Sequence, residues 1–261
     1  MSNQLNQWLK RFLLLGAVVA TSAQAAADKI IFAISQEPYP PFSWKASSGQ
    51  WSGFEPDLIR ELCKQMQADC RFHELAWDGL IPALNSKQVD VILNSLSITP
   101  ERKQVVDFTE AYLQTPALWV GEKALKLNPT VEGLKGKTIG VQGSTSSASY
   151  LKNYFGKTAK VRYYNDQDDV LSDLRNGRID IMLADQISIE PMLELAENNL
   201  LESKGVAPKD PLFGEGIGAA VRKGDDALRE RLNQALAALR DDGRMQTLSA
   251  PYFKPDILSL D

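Results

Sequence analysis

Short apolar runs recur along the chain, and between them the apolar residues fall three and four positions apart. The runs Lys29 to Ser35, Cys70 to Leu75 and Val89 to Leu93 predict strands. The spaced stretches from about Pro56 to Met66 and near Asp78 to Ser86 predict the helices between them. A second series follows in the same order: strand Lys137 to Val141, helix about Ser146 to Phe155, strand Lys160 to Tyr164, helix about Asp168 to Asn176, strand Ile179 to Leu183. Such alternation predicts an α/β fold with strands buried under helices. A glycine-rich segment, FGEGIGAAVRKGD, then leads into a strand and a long helix from Asp225 to Arg240, with Asp241-Asp242-Gly243 as its stop.

The two series leave a trace of repetition. LNSKQVDVILNS (84 to 95) lies over LRNGRIDIMLAD (174 to 185) at a constant offset of 90, matching Leu84 with Leu174, Asp90 with Asp180 and Leu93 with Leu183. Two similar lobes are therefore expected, one from residues 26–113 plus 216–261 and one from 114–215. Crossover strands near 113 to 117 and 210 to 216 would join them. Ligands of open α/β sheets bind beyond the carboxyl ends of strands, which puts Ser95 and Asp185 on one shared cleft.

Composition narrows the address and the chemistry. Lys10-Arg11, the nine-residue apolar run Phe12 to Ala20 and Ala23-Gln24-Ala25 form a secretory signal, residues 1–25, with cleavage after Ala25. The run is far short of the about 20 residues of a membrane span. Removing residues 1–25 takes Lys10 and Arg11 and no acid, leaving 27 Lys+Arg against 33 Asp+Glu, a formal charge of −6. Nucleic-acid binding needs a basic face and is not expected. His73 is the only histidine and sits in an alternating strand pattern, which argues against histidine triads and multi-histidine metal sites. Cys63 and Cys70 are the only cysteines, and in an exported chain they are expected to form one disulfide between a helix end and a strand start.

Four places carry candidate chemistry. In NSLSITPER (94 to 102), Thr99-Pro100 reads as a cap followed by proline at the first helical position. The amides of that helix start, the hydroxyls of Ser95 and Ser97, and Arg102 would converge on an anion, for which a carboxylate fits the guanidinium fork; a capped surface helix with its arginine in water is the competing reading. GVQGSTSSAS (140 to 149) is a second strand-to-helix turn with Thr145, without the lysine of a P-loop. Asp185 ends an apolar strand and needs a cation or hydrogen-bond donor, either a ligand ammonium or simply the helix it precedes. Tyr39 in QEPYPPF and Trp77 in LAWDGL lie at turns where their rings would flank a ligand or cover the core.

Taken together, EPYPPF, GFEPDLIRELCKQMQADC, LIPAL, SLSITPER, VDFTEAY, LKGKTIGVQGST, LRNGRIDIMLAD and RKGDDALRERLNQAL resemble the periplasmic amino-acid-binding proteins of ABC importers, above all the lysine/arginine/ornithine and histidine binders. The resemblance implies a two-lobed periplasmic-binding-protein fold of type II, with two crossover hinge strands. It implies a periplasmic protein without cofactor or metal, monomeric, that closes on an amino acid and passes it to an inner-membrane ABC permease. On the family's pattern Arg102, Ser97 and Thr145 hold the ligand carboxylate, Asp185 and Ser95 hold its ammonium, and Tyr39 and Trp77 sandwich its side chain, with Asn94 and Ser144 beside them. The Cys63 and Cys70 spacing matches the disulfide of the basic amino-acid binders.

Two positions depart from that pattern. Basic-amino-acid binders carry an aspartate three residues before the tyrosine, where this chain has Gln36 followed by Glu37, and a serine is replaced by Asn94. An inward Glu37 suits a cationic side chain; Gln36 in that place suits a neutral polar amino acid or an opine. A rival on the same scaffold is an exported cyclohexadienyl dehydratase acting on arogenate or prephenate, whose chemistry needs no histidine.

Overall fold

A computed structural model of the protein describes residues 28–253; the expected signal segment lies outside the described residues. The chain runs β1 (Lys29–Ser35), a hairpin of β2 (Trp44–Lys45) and β3 (Trp51–Ser52), α1 (Phe54–Met66), β4 (Asp69–Leu75), α2 (Leu80–Asn85), β5 (Val91–Ile92) and β6 (Val106–Phe108). It continues through β7 (Ala117–Glu122), β8 (Thr138–Gln142), α3 (Ser146–Tyr154), β9 (Lys160–Tyr164), α4 (Gln167–Arg175), β10 (Ile181–Asp185), α5 (Gln186–Leu193) and β11 (Leu201–Val206). It closes with β12 (Ala220–Arg222), α6 (Asp226–Asp241) and α7 (Arg244–Ser249).

Two five-stranded mixed sheets result, ordered β4-β1-β5-β12-β6 and β11-β7-β10-β8-β9, one for each lobe. In both, the paired parallel strands expected from the repeat lie side by side: β1 with β4 and β5, and β8 with β9 and β10. The repeat has a structural cause. Asp90 Oδ2 accepts from the Ile31 N–H at 3.0 Å, and Asp180 Oδ2 accepts from the Thr138 N–H at 2.8 Å, so each aspartate pins the start of its strand to the neighbouring one.

The strands are apolar on both faces because both faces are covered. In β1, Ile30 and Phe32 pack with Phe54, Leu58 and Leu236, while Ala33 packs with Leu80, Leu84 and Ile92 on the other side. In the second lobe Ile181 and Leu183 face Leu151 and Phe155, and Met182 and Ala184 face Val170 and Leu174. Helix α1 ends at Gln67 in the left-handed conformation, φ 53°, and the Cys63–Cys70 disulfide joins its last turn to β4.

The chain crosses between the sheets twice, from β6 to β7 and from β11 to β12, and the crossings meet where Ile217 N–H donates to Leu113 O at 2.8 Å. One expected element is absent. After Thr99-Pro100 there is only a single 3-10 turn, Arg102–Gln104, because Val106 is already paired with Arg222 in the sheet. Thr99 still acts as a cap, its Oγ1 accepting from the Arg102 N–H at 3.2 Å.

Candidate binding cleft between the lobes

The strand ends of both sheets open onto one cleft lined by residues of both lobes. Of the residues singled out in the sequence, Tyr39, Trp77, Asn94, Ser95, Ser97, Arg102, Thr145 and Asp185 line it. Gln36 is exposed and is not part of the lining, whereas its neighbour Glu37 is. Ser144 also stays out of the lining, but its carbonyl oxygen accepts from Trp77 Nε1 at 3.3 Å and from an Arg102 guanidinium nitrogen at 3.0 Å, so it ties the lobes together.

On the first lobe, the segment after β5 is fixed from behind. Asn94 is buried and its Oδ1 accepts from the Ser35 N–H at 2.5 Å. Ser95 takes a left-handed φ of 48°, and both its N–H (2.6 Å) and its hydroxyl (3.0 Å) donate to Glu55 Oε1. Arg102 lies under the Trp77 ring, 5.8 Å from its centroid, and donates to the Ser97 carbonyl at 3.0 Å. Burial draws the Arg102 pKa down to about 10, opposed by the attraction of Asp185 and Glu101, so the guanidinium is charged at neutral pH. Tyr39 stacks on Phe42 at 5.5 Å.

The second lobe supplies a helix start and a carboxylate. Thr145 caps α3: its Oγ1 accepts from the Ala148 N–H at 3.0 Å and donates to the Gln142 carbonyl at 2.8 Å. With the hydroxyl so engaged, what this turn can offer an anion is the first-turn N–H groups of Ser146 and Ser147, which intrahelical bonding leaves free. Asp185 precedes α5 without capping it through its side chain. Instead its Oδ2 accepts from the Tyr39 hydroxyl across the cleft at 2.7 Å. Burial pushes the Asp185 pKa up, offset by that hydrogen bond and by Arg102. Ser97 and Ser146 hydroxyls meet across the lobes at 3.3 Å.

A match over residues 30–255 to the model of bacterial extracellular solute-binding proteins, family 3, decides the lineage of this architecture. The chain belongs to that family. It is 38% identical over 259 residues to the L-arginine-binding protein of Pseudomonas aeruginosa, covering 95% of this chain and 98% of that one. It is 39% identical over 248 residues to the histidine-binding periplasmic protein of Escherichia coli, covering 94% and 95%. Among solved structures, an ancestral arginine-binding protein bound to arginine superposes with a TM-score of 0.79 at 29% identity, covering 87% of this chain and 98% of that chain. These family 3 relatives are binding proteins, not enzymes, and the fold is theirs.

Several lining residues escape the sequence reading. Ser35, Asp166 and Gln167, like Glu37, border the cleft. Asp166 caps α4 through Oδ1, accepting from the Asp169 N–H at 2.8 Å, and the Ser35 hydroxyl donates to Glu37. Asp166 serves its own helix as a cap, a local role that gives no hint of a cleft. Glu55, behind Ser95, has no local signal at all, since an acid in a first helical turn ordinarily serves the helix dipole from the surface.

Proposed function

We propose that the protein is the periplasmic binding component of an ABC importer for a basic L-amino acid, of the arginine, lysine, ornithine and histidine class. The observation that carries this reading is the charge of the cleft lining: three carboxylates, Glu37, Asp166 and Asp185, against one guanidinium, Arg102. A neutral amino acid offers one cation and one anion. Its carboxylate answers Arg102 and its ammonium answers Asp185, which leaves Glu37 and Asp166 facing whatever the side chain brings. A cationic side chain suits them; burying two acids against a neutral one costs free energy. In this reading Glu37 takes the part the sequence left open between it and Gln36.

The carboxylate is assigned to Arg102 and the first-turn amides of α3, the ammonium to Asp185 and Ser95, and the side chain to the space between Tyr39 and Trp77. The lobe division at 113/114 and 215/216 is supported by the hydrogen bond between Ile217 and Leu113, where the two crossings run side by side. Closure about this pair would make the contacts Tyr39–Asp185, Arg102–Ser144 and Ser97–Ser146 and present one surface to a membrane permease.

Calorimetric titration of the protein, freed of co-purified ligand by unfolding and refolding, tests the reading. L-arginine, lysine, ornithine or histidine should bind at least tenfold more tightly than glutamine, a difference of about 1.4 kcal/mol, and Arg102→Ala should abolish binding. Binding of glutamine or an opine alone would overturn the basic assignment. Absence of binding together with turnover of arogenate or prephenate would replace it with the dehydratase.

A further inference from the structure

Glu55 stands in the first turn of α1 yet is fully buried, beneath the cleft rather than in its lining. Its Oε1 gathers three donors: the Ser95 N–H at 2.6 Å, the Ser95 hydroxyl at 3.0 Å and the Tyr112 hydroxyl at 2.6 Å. Its Oε2 is equally buried and has no hydrogen-bond partner. No Lys or Arg forms an ion pair with it among the described residues. Such an acid is costly unless it does something.

The chemistry of Ser95 suggests what. A serine hydroxyl has one proton to donate and two lone pairs to accept with. Here the proton points back to Glu55, so toward the cleft Ser95 Oγ offers only lone pairs. An ammonium group has three donors and no acceptor, and an acceptor held in place is its complement. We propose that Glu55 is a positioning residue for the ligand ammonium, fixing the Ser95 hydroxyl as an acceptor and releasing a proton to solvent when the ligand binds.

This inference rests on the amino-acid reading above. The charged and titratable groups around Glu55 define the linkage: Tyr112 from the segment after β6, and Tyr39 and Asp185 facing it from the cleft. Asp57 on its own helix is engaged elsewhere, with Arg60 and Tyr252. Burial, with a smaller push from the Asp185 charge, raises Glu55 from 4.5 to about 7 against the pull of Tyr112 and Ser95. An ammonium placed between Ser95 and Asp185 neutralises Asp185 and favours the Glu55 anion. The proton balance is simple: the ligand keeps its protons, the Glu55 carboxyl becomes carboxylate, and one proton passes to the buffer.

The test is calorimetry with L-arginine at about pH 6 in buffers of different ionisation heat, which counts protons exchanged on binding. The protein should release close to one proton per arginine, and its affinity should rise up to tenfold per pH unit below about pH 7 and level off above about pH 8. In Glu55→Gln both the release and the pH dependence should vanish. Release that persists in the variant, or its absence from the unsubstituted protein, overturns the proposal while leaving arginine binding intact. Infrared spectroscopy gives an answer that does not depend on the variant folding. The ligand-free protein should show a protonated-carboxyl band that arginine removes, and a spectrum without that band overturns the proposal. Failure to bind any amino acid would count instead against the functional reading, and the same band in the ligand-free protein would still decide the state of Glu55.

Discussion

The two lobes begin alike and end differently. In each, an aspartate at the corresponding position, Asp90 or Asp180, pins neighbouring strands. In each, the residue after the first parallel strand closes the sheet end in the same way: Gln36 N–H donates to Leu75 O and Gly143 N–H donates to Tyr164 O, both at 2.9 Å. Beyond that point they diverge. The first lobe's cleft groups have partners within their own lobe, Ser95 with Glu55 and Asn94 with Ser35. In the second lobe Thr145 and Asp166 cap their own helices, but the other groups find partners across the gap: Asp185 with Tyr39, Ser146 with Ser97, and the Ser144 carbonyl with Trp77 and Arg102. One side of the cleft is therefore organised before anything arrives, and the other is completed by meeting it.

That contrast can be broken most directly by removing one group from each side. Asp185→Ala should weaken arginine binding by on the order of 4 kcal/mol, since a ligand ammonium loses its buried counter-charge, and leave the melting temperature of the ligand-free protein nearly unchanged. Ser95→Ala should also weaken binding but lower stability, by about 1–3 kcal/mol, because buried Glu55 loses a donor. Paired calorimetry and thermal melts decide; equal stability losses for both variants would erase the distinction.

A second measurement sharpens it through pH. Glu55 has a pKa raised by folding, so the folded state holds its proton more firmly than the unfolded chain between pH 4.5 and about 7. Stability therefore falls as pH rises through that window, by roughly 3 kcal/mol from this group alone. Chemical denaturation from about pH 4.5 to 8 should show the decline in the unsubstituted protein and a flatter profile in Glu55→Gln.

The smallest effect tests the likeness rather than the difference. Asp90→Ala and Asp180→Ala should each cost about 1–2 kcal/mol, the loss of a charge-assisted hydrogen bond to a strand N–H, with little change in arginine affinity. A large loss of affinity from either, measured by titration, would mean that the strand clamp reaches the site.

What the sequence reveals and conceals follows the range of the interactions. Strands buried on both faces, such as Ile30 to Ile34, show as apolar runs, and the aspartates of the repeat show because each serves the same strand pairing. The Cys63–Cys70 pairing is short-range and legible for that reason. The helix expected after Pro100 fails because β6 claims its residues through pairing with β12, more than a hundred positions away in the chain. Glu55 stays hidden for a like cause, since Ser95 and Tyr112, which give it its role, lie 40 and 57 residues distant. Between Gln36 and Glu37 the local pattern could not choose, and the cleft lining includes only Glu37.

The strand order β4-β1-β5-β12-β6 carries a further meaning for how the chain is made. Strand β12 sits inside the first sheet, between β5 and β6, yet it follows every strand of the second. A chain emerging from its N-terminus thus has all the strands of the later lobe in hand, 117 to 206, before the earlier lobe can fill the gap between β5 and β6. The lobe that begins first is the one that must wait, held open for a single three-residue strand.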